Sequence, residues 1–173
     1  MAVTRMVSLD DAAPLARLLK ANRDYLAPWS PIQGERYFTE DGQREALAHD
    51  LAGYERGGML PLAILDANGE VCGRINLNSI VRGAFQSASL GYWVSESHTG
   101  RGLASAAVAD AIGIGFRELG LHRLEAATLL HNTPSQRVLT RNGFRPFAVS
   151  EAYLKIAGKW QDHILFVLLS PGG

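Results

Sequence analysis

The sequence has almost no cysteine, no excess of either charge and no long apolar run. Cys72 is its one cysteine, which excludes an intrachain disulfide and a cysteine-rich zinc cluster and favours a core position for this thiol. Lys and Arg number 17, and so do Asp and Glu, so no global field attracts a nucleic-acid backbone or an anionic membrane. No run approaches the roughly 20 apolar residues of a membrane span, and the charged N-terminal stretch lacks the apolar core of a secretory signal. We therefore expect a cytoplasmic protein with no nucleic-acid or membrane partner.

The length of the chain is typical of one domain, so we expect residues 1–173 to form a single one. A chain of this size buries roughly two-thirds of the surface that its unfolded form exposes, so it holds a core without disulfides. The sequence contains no internal repeat, low-complexity tract or long linker.

The N-terminal part is predicted to be mainly helical. After an opening strand, we expect a helix that begins at Ser8 or Asp10, where acidic residues occupy the first turn. Two prolines and a glycine over 25–34 predict a loop or a broken helix, and a second helix is expected over 40–58.

The hydrophobic period then changes to that of strands. Strands are predicted over 59–66, 71–81 and 87–94, and Asn68-Gly69 predicts a tight turn between the first two. These three strands should form an antiparallel meander.

A strand–helix–strand unit follows the meander. A helix is predicted over 101–119 and a strand over 121–129, which should lie parallel to the strand over 87–94. A short helix capped by Thr133 and a closing hairpin that turns near Gly158 complete the chain. The fold class is therefore α+β, with a mostly antiparallel sheet and one parallel crossover.

The glycine turn Gly100-Arg101-Gly102, between a strand and a helix, suggests a phosphate site. A Walker loop needs a lysine that is absent here, and a dinucleotide fingerprint would need a glycine or alanine where Ser105 stands. A helix N-terminus can hold a pyrophosphate with backbone amides alone, although glycine also serves ordinary turns. Gly113 and Gly115, further along the helix, are expected to pack against the sheet.

Four further motifs occur in order around this turn. They are Gly91-Tyr92-Trp93 before it, the strand 120–126 with sequence GLHRLEA, a helix with Asn132, Ser135, Val138, Leu139, Gly143 and Phe144, and Trp160-x-Asp162. Together with the turn 99–104, they resemble the GNAT superfamily of acyl-CoA-dependent N-acetyltransferases, and within it the RimJ/RimL-like branch. The resemblance implies a three-layer fold: a mostly antiparallel seven-stranded sheet, helices on both faces, and a V-shaped splay between the central parallel strands.

The resemblance also implies acetyl-CoA as the cofactor, and no metal. The pyrophosphate would lie on the amides of the glycine turn, and the pantetheine arm would pair with the fourth strand and contact Asn132. The implied cofactor-binding residues are Trp93, Val94, Thr99, Gly100, Arg101, Gly102, Leu103, Ala104, Ser105, Asn132 and Ser135. Thr99 departs from the family, which usually has Gln or Arg there.

The resemblance also implies which residue is the catalytic acid. Many GNAT enzymes use a tyrosine as the acid that protonates the thiolate, but Leu139 stands at that position. Ser135 matches the serine of RimL-like proteins, which implies that it is the general acid; a serine in a first helical turn can equally satisfy backbone amides.

The base and the acceptor site are less defined by the sequence. Glu96 or His98 could act as the base through water, and Glu40, Asp162 and His163 are further candidates that no spacing distinguishes. Trp29, Tyr92 and Trp160 are candidates to line the amine site, although such aromatic residues also serve as core.

The expected function is transfer of an acetyl group from acetyl-CoA to a primary amine, by direct attack on the thioester. The acceptor is expected to be a protein or peptide N-terminal α-amine. Alternatives are a small amine, such as an antibiotic or metabolite, and a non-catalytic acyl-CoA-binding module. The chain is expected to act as a monomer or a homodimer.

Overall fold

Seven strands form one sheet in the order β1-β2-β3-β4-β5-β7-β6 in the computed structural model, which describes residues 2–172. Neighbouring strands are antiparallel except β4 and β5, which are parallel. The strands are β1 Thr4–Met6, β2 Leu60–Leu65, β3 Val71–Val81, β4 Ser87–Val94, β5 Arg123–Leu129, β6 Arg145–Ile156 and β7 Lys159–Leu169. The predicted meander and parallel crossover are confirmed.

The helices are α1 Ala12–Ala21, α2 Arg23–Leu26, α3 Glu40–Glu55, α4 Leu103–Gly113 and α5 Thr133–Arg141. The hydroxyl of Thr39 caps α3 by accepting from the Gly42 amide at 3.1 Å. Of the two alternatives predicted for 25–34, the structure has the broken helix: the segment contains the end of α2 and a 3₁₀ turn at Ala27–Trp29. Among the residues that the structure describes, no helix has both the length and the apolarity of a membrane span.

Two apolar clusters lie on opposite faces of the sheet. Leu62 and Ile64 of β2 belong to a cluster with Val108 of α4, whereas Ala63 between them packs with Leu15 of α1 and with α3. Because successive strand side chains point to opposite faces, the helices cover both faces. The predicted three-layer arrangement is confirmed.

The helix predicted over 101–119 does not continue as an α-helix to its end. After α4 the backbone forms a π turn over Ile114–Glu118, and the Leu119 amide donates to the Ile114 carbonyl at 2.9 Å. A Cβ at Gly115 would lie 3.3 Å from side chains of Leu77 and Leu124, so this glycine packs against the sheet as predicted. For Gly113 that prediction is wrong, because a Cβ there would meet the guanidinium of Arg117 in the π turn and not the sheet.

The parallel strands separate along their length. Pairing joins Ser87–Leu90 of β4 to Arg123–Ala126 of β5 and then stops, although β5 continues to pair with β7 as far as Leu129 and His163. The facing edges of β4 over 91–94 and of β5 over 127–129 are therefore not bonded to each other. This is the predicted V-shaped splay, and it positions the site.

Candidate active site

A cavity of about 390 Å³ opens where β4 and β5 separate. Its walls come from both sides of the splay and from the segment that follows α2. Polar groups converge on it from β3, β4, β5, β7 and α5, among them Arg74, Tyr92, Thr128, His163, Asn132 and Ser135.

The glycine turn between β4 and α4 presents free backbone amides. Gly100 and Gly102 have φ values of +73° and +78°, a left-handed backbone that favours glycine. The first amide of α4 with a helical partner is that of Ala106, which donates to the Gly102 carbonyl at 3.0 Å. In the described residues, the three preceding amides of the helix have no protein acceptor. This arrangement fits an anionic group such as a pyrophosphate.

Side chains around the turn differ in how free they are. Arg101 is exposed and could add positive charge. The Thr99 hydroxyl donates to the Glu96 carbonyl at 2.8 Å, so it is committed to the turn itself. The Ser105 hydroxyl accepts from the Asn142 side chain at 3.0 Å, which ties α4 to the end of α5.

The splay also fits an extended ligand that carries amide groups. The Thr128 hydroxyl is buried and has no partner among the described residues, and a buried polar group without a partner is costly. Together with the unpaired edges of β4 and β5, it can bond to the amides of a pantetheine arm. Trp93 and Val94, predicted to pair with that arm, lie on this edge of β4.

Ser135 is held by two neighbours. Its hydroxyl lies 2.7 Å from the Tyr92 hydroxyl, and its amide donates to the Asn132 side-chain oxygen at 3.3 Å. Asn132, and not Thr133 as predicted, is thus the N-cap of α5. Burial raises the pKa of Tyr92 to about 12, against the opposing effect of its hydrogen bond to Ser135, so the phenol stays protonated at neutral pH.

The two predicted bases lie outside the cavity lining. Glu96 is exposed, and its amide donates to the Asn22 side chain at 2.8 Å. His98 has its Nε2 at 3.5 Å from a carboxylate oxygen of Asp66. Backbone amides of Glu70 and Asn68 lower the pKa of Asp66, and His98 contributes to the same effect.

The three aromatic candidates for the acceptor site fall in different places. Trp29 lines the cavity and its ring lies 5.4 Å from that of His131. Tyr92 also lines it, but its hydroxyl is bonded to Ser135. Trp160 is 65% exposed on β7 and is not among the lining residues.

The segment 27–32, which follows α2, forms one wall of the cavity through Trp29 and Ser30. The Ser30 carbonyl accepts from the Ala157 amide at 2.9 Å, and Ile32 lies against Gly158 in the turn between β6 and β7. Prolines in this segment indicated a break in helical structure but not its contact with a turn so far along the chain.

Arg74 lines the cavity but was not predicted from the sequence as a site residue. Its Nη2 lies 2.9 Å from a carboxylate oxygen of Asp50 and 3.0 Å from the Asn76 side-chain oxygen, while its Nε is buried without a partner in the described chain. The signal was available, because Arg74 is the one charged residue in the strand predicted over 71–81. Within residues 2–172, no group of His, Cys, Asp or Glu side chains is arranged to hold a metal ion.

Comparison with known proteins extends the likeness along the whole chain. Residues 3–145 match the model of the acetyltransferase (GNAT) domain. A probable N-acetyltransferase of Bacillus subtilis, YjcK, is 33% identical over 96% of this chain and 93% of its own length. The ribosomal protein uS5-alanine N-acetyltransferase of Escherichia coli is 32% identical over 98% of this chain and 88% of its own. Mycobacterium smegmatis RimJ in complex with CoA-disulfide superposes with a TM-score of 0.93 at 35% identity, covering 96% of this chain and 81% of that one.

Proposed function

This chain belongs to the GNAT acetyltransferase family, and from that premise we propose that it acetylates the N-terminal α-amine of a protein, with acetyl-CoA as donor. The observation that carries the proposal is the cavity between the separated strands, which combines an open strand edge with a hydroxyl pair, while the helix that follows β4 begins with free backbone amides. The relative in Escherichia coli is described as acting on an alanine of ribosomal protein uS5, which favours a peptide N-terminus over a small amine.

The donor would be held by groups of different kinds along its length. The amides at the start of α4, over 103–105, would bind the pyrophosphate, with Arg101 adjacent. Asn132 keeps its side-chain nitrogen as a donor, since its oxygen is used by the Ser135 amide. Acetyl-CoA supplies an activated acyl group whose leaving thiolate needs a proton.

Ser135 would supply that proton as the general acid. Its hydroxyl is half-buried at the first turn of α5 and points to the Tyr92 hydroxyl. Since Tyr92 remains protonated, it can return a proton to Ser135 after the first transfer. An amide on the free edge of β4 would polarise the thioester carbonyl.

The acceptor would enter beneath the segment that carries Trp29 and Ser30. A second cavity of about 240 Å³ adjoins the first and has a mostly apolar wall that includes Leu26, Pro31 and Phe38. It could receive the side chains that follow the reacting amine. An apolar recess of this kind fits a peptide better than a compact polycationic amine.

The proposal is tested by an acceptor screen. Thiol release from acetyl-CoA would be measured with peptides that have free N-termini, with the same peptides blocked at the α-amine, and with small amines. We expect turnover on free N-termini and none on blocked ones. Turnover confined to small amines would refute the peptide acceptor, and acetyl-CoA binding without turnover on any acceptor would indicate a non-catalytic module.

A further inference from the structure

Among the described residues that line the cavity, one side chain has a basic nitrogen with a lone pair. In the part of the chain that the structure describes, the ionisable residues lining it are Tyr37, Arg74, Tyr92 and His163. Arginine does not lose its proton in proteins, and burial raises the pKa of both tyrosines. No carboxylate lines the cavity, so among these four only the imidazole of His163 can accept a proton.

The position of His163 defines which of its nitrogens is available. The residue is buried on β7, opposite Leu129 at the open end of the splay. Its Nδ1 lies 2.9 Å from the carbonyl oxygen of Gln161 on the same strand. A carbonyl only accepts hydrogen bonds, so Nδ1 carries the hydrogen and Nε2 carries the lone pair. The Tyr153 ring, 5.6 Å away at 59°, flanks the imidazole.

The other candidate bases are directed elsewhere. Asp162, next to His163, is exposed, and its carboxylate accepts from the Ala152 amide at 2.9 Å. Alternation along β7 places it on the face opposite to His163. Glu40 is exposed and lies 3.3 Å from Arg44 on the same helix.

We propose that His163 is the general base that deprotonates the ammonium group of the acceptor, an inference that rests on the proposed function. Nε2 takes one proton from the ammonium and the imidazole becomes imidazolium. The neutral nitrogen then forms a bond to the carbonyl carbon, the carbon–sulfur bond breaks, and the sulfur takes a proton from Ser135. The nitrogen then loses its second proton to the Ser135–Tyr92 hydroxyl pair, which replaces the proton given to sulfur. The imidazolium releases its proton to solvent.

The test replaces His163 with asparagine. In His163→Asn, the side-chain nitrogen can still donate to the Gln161 carbonyl, but no basic nitrogen remains. General base catalysis contributes about 10²–10⁴-fold, so we expect kcat/KM for a free N-terminal peptide to fall by about that range. Affinity for acetyl-CoA should not change. Asp162→Asn is the matched control, because it alters the adjacent residue on the other face of the strand and should leave activity unchanged.

Two further measurements separate a base from a structural residue. In His163→Ala, added imidazole should restore turnover. The deficit of His163→Asn should also shrink as pH rises past about 8, because a free α-amine is then largely neutral without help. One ionisable group, Tyr153 on β6, flanks the imidazole. The ionisable groups across the cavity are Tyr37, Arg74 and Tyr92. On β5, the residue opposite His163 is Leu129, which has no ionisable group.

The outcomes are distinct from those that test the proposed function. If the native chain turns over no acceptor, both the proposed function and the proposed role of His163 are refuted. If the native chain is active and His163→Asn is equally active, only the role of His163 is refuted. The same conclusion follows if Asp162→Asn loses as much activity, or if imidazole restores nothing to His163→Ala.

Discussion

At the scale of single residues, the clearest feature is a hydroxyl pair that the sequence could not reveal. Ser135 and Tyr92 are 43 positions apart and lie 2.7 Å apart through their oxygens. Motif resemblance indicated a role for each residue separately, as acid and as acceptor contact. The contact between them supports the proposal that Tyr92 is a proton source and not only a wall of the acceptor site.

The first prediction concerns this pair. Ser135→Ala should lower turnover by about 10²–10⁴-fold, the range for a general acid, while affinity for acetyl-CoA stays the same. Tyr92→Phe should lower turnover less, because Ser135 can still take a proton from water. Steady-state kinetics and equilibrium binding of acetyl-CoA check both. Full turnover in Ser135→Ala would rule out its role as the acid.

The pKa of Tyr92 gives this prediction a pH dependence. Burial raises the pKa to about 12, so the phenol keeps its proton at neutral and mildly alkaline pH. The pH profile of the native enzyme should therefore show no fall attributable to Tyr92 in that range.

The second prediction concerns Cys72, which the structure buries completely on β3 as expected of a core residue. Burial, followed by the charge of Asp66, raises the pKa of its thiol to about 11. Because the thiolate is the reactive form, native protein at about pH 8 should not react with a thiol reagent. One thiol should react after denaturation. Rapid labelling of the folded protein would show that the residue is accessible.

At the scale of elements, local signals predicted most of the sheet. The Asn68-Gly69 turn and the alternating strand over 71–81 depend on neighbouring residues, and both are confirmed. No local signal predicted the π turn, in which Gly115 lies against Leu77 and Leu124 of distant strands. The direction of a side chain could not be predicted from the sequence either. The spacing of His98 places it near the glycine turn, but only the structure shows that it faces Asp66.

The third prediction belongs to the turn between β4 and α4. Gly102 has a φ of +78°, which a β-branched residue adopts only with strain, and the space around its missing Cβ is open. Gly102→Val should therefore weaken acetyl-CoA binding, both by shifting the amides of α4 and by placing a side chain where the phosphates would lie. Isothermal titration measures the loss. Gly69→Val is the matched control, since Gly69 also has a positive φ, of +80°, but lies in the turn between β2 and β3. Equal affinity in the two variants would contradict the anion-binding role of the turn.

At the scale of the whole molecule, the sheet consists of two parts joined by a short seam. The strands β1 to β4 form one part and β5, β7 and β6 the other, and the seam is the four-residue pairing of Ser87–Leu90 with Arg123–Ala126. A ligand in the splay would contact both parts. Binding should therefore resist the separation of the two parts as well as unfolding within each.

The last prediction follows from this seam. A ligand at 100 times its dissociation constant stabilises the folded state by about 2.7 kcal/mol, and for a chain of this length that corresponds to a rise in Tm of roughly 5–10 °C. Acetyl-CoA should produce such a shift in calorimetry.

Amide exchange separates the role of the pantetheine arm from stabilisation in general. Adenosine 3′,5′-bisphosphate carries no pantetheine arm and cannot reach the open edges of both strands. At an equal multiple of its own dissociation constant, it should raise Tm by a similar amount but should not slow amide exchange in β5. Acetyl-CoA should slow exchange within 127–129 at those amides that are not bonded to β7 and therefore face the splay. If the two ligands protect β5 equally, the arm does not bridge the seam, and the open edges of β4 and β5 serve only to shape the cavity.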